Sequence, residues 1–167
     1  DDLRLSRIIN NPPRGIGQKS IDTVAWFAQA EGKSMYEVAC DPYSYGPLER
    51  SARKLLEFSA MLEGLAQLLD DGMDLLNFYD ELLIRTGYVD MLQSKPTEEN
   101  ITRLENVREL KSSIQTYVEN AEEPSLAGFL EEIALYTDIQ QYDADADAVV
   151  MMTMHSAKGL EFPNVFL

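Results

Sequence analysis

The sequence predicts a mainly α-helical fold with a short β segment at its C-terminal end. Two observations carry that expectation. From residue 20 to residue 136, apolar side chains recur at three- and four-residue spacing, and the stretches are punctuated by Ser, Asp, Gly and Pro at positions that start and stop helices. From Val149 to Met154 the pattern changes to a short, nearly continuous apolar run, the length of a buried strand. The 167 residues are 45% hydrophobic, enough for a sizeable core.

The elements follow in order. Ser20 is placed to cap a helix to about Ala30, with Ile21, Val24, Phe27 and Ala28 on one face. Ser34 and Glu37 have capping-box spacing and open a short helix that ends near Cys40, before Asp41-Pro42. Leu48 to Asp70 carries Leu48, Ala52, Leu55, Ser59, Leu62, Leu65 and Leu69 at helical spacing, and Gly72 stops it. Asp74 caps the next helix, which runs to Thr86 with Gly87 beyond its end. After a turn at Pro96-Thr97 comes a long helix striped by Ile101, Leu104, Val107, Leu110, Ile114, Tyr117 and Val118. Pro124-Ser125 opens the last helix. Residues 141–148, with Asp and Ala alternating from Asp143 to Ala148, read as an acidic linker. Val165 to Leu167 opens a second strand, and a buried strand without partners leaves ladder groups unpaired, so the chain reads as a piece of a longer protein.

Composition excludes several classes. One Cys and one His leave no intramolecular disulfide and no usual zinc cluster. No apolar run is long enough for a membrane span and no signal-peptide core opens the chain, so a cytoplasmic protein is expected. The net charge of −15 opposes nucleic-acid binding over the whole surface. Residues 3–20, however, carry Arg4, Arg7, Arg14 and Lys19 with no acid. That island is either surface scatter or a chosen phosphate contact on a repelling body.

Within the island, Arg14-Gly15-Ile16-Gly17-Gln18-Lys19-Ser20 has two glycines about an apolar residue. Such a hairpin can turn its amides outward as an anion-binding nest, beside the N-terminus of the following helix, while Ile16 plugs into the core. At the other end, Thr153-Met154-His155-Ser156-Ala157-Lys158-Gly159-Leu160-Glu161-Phe162 follows the first apolar run. Thr153 and His155 can meet phosphate or a base, Lys158 a polyphosphate, and Glu161 a ribose hydroxyl or a basic partner. A plain crossover turn with its polar groups satisfied explains the same residues.

The second segment resembles motif V of superfamily 1 DNA helicases of the UvrD, Rep and PcrA type, and the first is similar to the R-G-I-G segment that opens their inserted 2B subdomain. The resemblance implies a helical 2B-type subdomain with the GIG hairpin over residues 1–140. The linker 141–148 follows, and residues 149–167 belong to an adjoining RecA-like α/β domain, 2A. It implies an ATP-dependent 3′-to-5′ DNA helicase and translocase, using ATP and Mg²⁺ in the full-length enzyme. Duplex DNA would lie on Arg14, Gly15, Ile16, Gly17, Lys19 and Ser20, and single-stranded DNA on Thr153 and His155. Lys158, Gly159 and Glu161 would face the nucleotide. Repair or transcription proteins are candidate partners; a regulatory, protein-binding module and a helicase–nuclease subunit are the alternatives.

No G-x-x-x-x-G-K-[ST] loop is present. Gly32-Lys33-Ser34 imitates its end, but Phe27 stands where the first Gly belongs, so a turn between helices is expected. The isolated chain therefore has no catalytic residues of its own and is expected to be inactive. Asp143, Asp145 and Asp147 lack the Gly and Glu of a calcium loop, and no metal site is expected. Trp26 is expected to pack near its own helix, and Cys40 to be a structural thiol.

Overall fold

The computed structural model describes residues 1–135 and Met151. Those residues contain helices and no strand: α1 (Asp2–Ile8), α2 (Gln18–Glu31), α3 (Met35–Cys40), two 3₁₀ turns (Pro42–Ser44 and Gly46–Ser51), α4 (Ala52–Asp70), α5 (Leu75–Thr86), α6 (Tyr88–Ser94), α7 (Glu98–Asn120) and α8 (Leu126–Leu135). The acidic linker, the expected strands and the whole Thr153–Phe162 segment lie outside the described residues. The chain divides into two compact units, residues 1–116 and residues 117–167.

The first unit is organised around α3, which packs against α2 on one side and α4 on the other, with α1 also against α3. Ile9, Ile16, Val24, Val38, Leu48 and Leu55 are fully buried where these helices meet. Each such side chain contributes about 2 kcal/mol of burial free energy. The capping box at Ser34 and Glu37 is fully formed, and Asp74 caps α5 by accepting from the Leu76 and Asn77 amides at 3.1 and 3.0 Å. Gly32 and Gly87 close α2 and α5 in the left-handed conformation. Gly32-Lys33-Ser34 is thus the turn from α2 to α3, as its sequence context predicts.

Four features differ from the sequence expectation. The chain is helical from Gln18, so Gly17 and not Ser20 is the N-cap of α2. Residues 46–51 form a 3₁₀ turn that delays α4 to Ala52, because Pro47 sits at its start and Leu48 must still reach the core. Short helices α1 and α6 were not expected; α1 has no helical stripe, and the carboxylate of Asp2 ties it to α3 by accepting from the Met35 amide at 2.9 Å. Trp26 meets Phe27 of its own helix edge-on, at 4.8 Å between ring centroids, but is left 62% exposed. Cys40 is exposed as well.

The stripe of α7 is buried at Ile114, but Ile101 and Leu110 remain exposed. Polar contacts tether this part of α7 to α5. The Tyr79 hydroxyl donates to the Val107 carbonyl at 2.8 Å, and Lys111 pairs with Asp80 at 2.7 Å. In the second unit Tyr117 stacks at a tilt on Phe129, with centroids 5.5 Å apart. There the Ser125 hydroxyl accepts from the Gly128 amide at 3.1 Å and opens α8.

Candidate nucleic-acid interface

Residues 10–17 run from the end of α1 to the start of α2 as an irregular loop without strand pairing. Three anchors hold it. Ile16 is fully buried, the plug that the sequence predicts. The side-chain oxygen of Asn10 accepts from the Arg14 amide at 2.8 Å and from the Ile16 amide at 3.2 Å. Arg14 folds back: one of its terminal nitrogens donates to the carbonyls of Ile8 at 2.9 Å and Pro12 at 3.1 Å, and its guanidinium lies 5.2 Å from the centre of the Phe58 ring. Partial burial lowers its pKa from the ordinary value, though an arginine stays charged.

The expected nest therefore changes shape. The Arg14 and Ile16 amides are taken by Asn10, whereas among the described residues nothing accepts from those of Gly15 and Gly17, and further donors lie one step on, in the first turn of α2. No side chain caps that turn, and among the described residues nothing accepts from the amides of Gln18 and Lys19. The Ser20 amide already donates to the Gly17 carbonyl at 2.9 Å. α2 is 14 residues long, so its aligned peptide dipoles place partial positive charge at this end. Lys19 is exposed and, among the described residues, has no carboxylate partner.

The two glycines serve different ends. Gly15 has φ +70°, a conformation strained for any other residue, and a β-carbon there would run into the ammonium of Lys54. Gly17 has φ −73° and open space where its side chain would be. The fold demands the first glycine but not the second.

Of the residues predicted to meet duplex DNA, the structure gathers Arg14, Gly15, Gly17, Lys19 and Ser20 within one loop and helix start, with Ile16 beneath them as an anchor. Arg14 is largely spent on the loop itself. Sequence reasoning missed Lys54, on α4, which donates to the Gly15 carbonyl at 2.9 Å. No spacing signal could have found it, since 39 positions separate the two. Sequence reasoning assigned no role to Asn10. Thr153, His155, Lys158, Gly159 and Glu161 lie outside the described residues.

The sequence pattern of the UvrD-like helicase C-terminal domain matches residues 1–167. The chain belongs to that family. It is 35% identical over 173 residues to the ATP-dependent DNA helicase PcrA of Bacillus subtilis. It is 37% identical over 169 residues to the proteins of the same name from Staphylococcus epidermidis and Staphylococcus aureus. All of this UvrD-like chain is covered in each alignment, and it spans 23% of the length of those relatives. The described part does not fit a nucleotide–magnesium site. Lys33, the one lysine in a loop-like context for it, is paired with Glu31 at 2.7 Å and bonded to the Tyr45 hydroxyl, and no acidic cluster able to hold a metal occurs among the described residues. Nor is any described helix long and apolar enough to cross a membrane.

Proposed function

We propose that this chain is the duplex-contacting helical part, with the returning motif V, of an ATP-dependent DNA helicase that translocates 3′ to 5′. The observation that carries the reading is the start of α2: two amides without acceptors and a lysine without a carboxylate partner among the described residues, and a glycine with open space where a side chain would stand. A phosphodiester can approach such a surface closely, and the contact reads no sequence, which suits a motor that must engage any duplex. The acidic balance of the chain, −15 in all, then keeps DNA off the rest of its surface. Holding the duplex at one chosen point is what a helical insertion ahead of a fork must do.

In this reading Thr153 and His155 face single-stranded DNA, and Lys158, Gly159 and Glu161 lie toward the nucleotide that the rest of the full-length enzyme holds with Mg²⁺. Membership of the UvrD-like family and the motif V residues support that assignment. The test needs the intact enzyme. His155→Ala weakens single-strand binding and the DNA stimulation of ATPase, whereas Glu161→Ala impairs ATP use and spares DNA binding without nucleotide. Melting temperature, DNA affinity and ATPase rate are measured on the same preparations. A joint loss of all three in both variants returns the segment to a structural role.

A further inference from the structure

The ammonium of Lys54 donates to the Gly15 carbonyl at 2.9 Å, bringing a cation from α4 to a loop that carries the candidate duplex contact. A lysine ammonium has three donor hydrogens, and this one bond uses one of them. The side chain is exposed, and among the described residues no carboxylate pairs with it, whereas its neighbour Arg53 pairs with Glu57 at 3.2 Å. Two donors therefore remain on the solvent side of the loop.

The loop does not need Lys54 to hold its shape. Ile16 is fully buried, Asn10 pins two amides and Arg14 pins two carbonyls, so the loop is held without the exposed lysine–carbonyl bond. The Gly15 φ of +70° already requires a glycine there, and the Lys54 ammonium occupies the space that a β-carbon would otherwise fill. Gly15 and Gln18 are three residues apart, so their α-carbons lie within about 11 Å, close to one Debye length at physiological salt. Charge at Gly15 and the amides of Gln18 and Lys19, which have no acceptor among the described residues, thus act on the same stretch of a phosphate backbone.

We propose that Lys54 is a duplex-backbone contact of this interface, delivered from α4 and seated by Gly15, which donates to a phosphodiester oxygen adjoining the one held at the start of α2. This rests on the loop reading above and adds a residue outside the loop to it.

The test is a salt titration of the 167-residue chain on a blunt, labelled duplex, from about 50 to about 200 mM KCl, with a single strand of equal length alongside. Each lost phosphate contact lowers the slope of log affinity against log salt by about 0.9, so Lys54→Met should lose about 3.5-fold less affinity than the parent across that range. Lys54→Met should bind the duplex several-fold more weakly at the low-salt end, Lys54→Arg should keep the parent slope, and the single strand should be affected less. If Lys54→Met lowers the melting temperature but keeps the parent slope, or changes nothing, Lys54 is a brace or a bystander and the proposal is overturned. Lys19→Ala and Gly17→Ser separate the two levels. If they weaken duplex binding while Lys54→Met does not, only the Lys54 assignment fails; if neither weakens it, the loop reading fails and Lys54 with it.

Discussion

Replacing Gly17 with serine should stabilise the protein and weaken its grip on duplex DNA, two effects of opposite sign from one hydroxyl. The residue caps α2 with an ordinary φ of −73° and ψ of 159°, and no atom lies within 4 Å of where a β-carbon would stand. Serine is among the best N-cap residues, and its oxygen would accept from the amide of Lys19 or Ser20. Against glycine that gains a few tenths of a kcal/mol, about 1–2 °C in melting temperature for a unit of this size. The same oxygen would occupy a donor that a phosphate otherwise uses and would hold the backbone away from it. A hydrogen bond to a charged group contributes about 1.5–3 kcal/mol, so duplex affinity should fall about tenfold or more. Thermal melting and fluorescence anisotropy with a labelled duplex, on one preparation, read both quantities. A raised melting temperature with unchanged duplex affinity refutes the assignment of the α2 amides to phosphate. A lowered melting temperature refutes the cap geometry itself.

Two further outcomes test the loop and the helix caps. Arg14→Ala should cost about 1–2 kcal/mol in urea unfolding, because the carbonyls of Ile8 and Pro12 lose a charged donor and the Phe58 ring loses its cation; abolished duplex binding at unchanged stability would refute its bracing role. The Asp74 carboxyl is held below its ordinary pKa by the backbone amide and then the side chain of Asn77, and Glu37 by the backbone and then the hydroxyl of Ser34. A depressed folded-state pKa means that their stabilisation is fully present above about pH 4–5 and is lost as pH falls through the lower folded-state values. Asp74→Asn keeps a capping side chain and removes that titration, so it should flatten the acid limb of the stability curve; an unchanged limb refutes the assignment.

The helical character of the first 135 residues was legible because helices announce themselves locally. Ser34 with Glu37, Asp74 with its two amides, and Gly32 and Gly87 at helix ends all act within one turn of chain, where spacing alone carries the physics. Family membership was legible for a related reason: the R-G-I-G segment near one end and TMHSAKGLEF near the other are contiguous runs. Signals of this kind say little where a helix lacks a stripe, as in α1, or where exposure depends on what packs opposite. Ile101 and Leu110 of α7 follow helical spacing and are still exposed, because periodicity defines a face without supplying a neighbour for it.

The sequence by itself determined the helical character, the Ser34 and Asp74 caps of α3 and α5, the buried role of Ile16 and the basic segment around it. Only the tertiary structure decided which groups in that segment remain free. Asn10 turned two of the expected amides inward, Arg14 was drawn back onto carbonyls and the Phe58 ring, and Gly17 rather than Ser20 became the start of α2. Lys54 arrived from 39 residues away. A hydrogen-bond donor is available to a ligand only when no nearer acceptor satisfies it, and that condition depends on every chain segment brought close by the fold. Sequence lists the donors; packing selects which of them face the DNA.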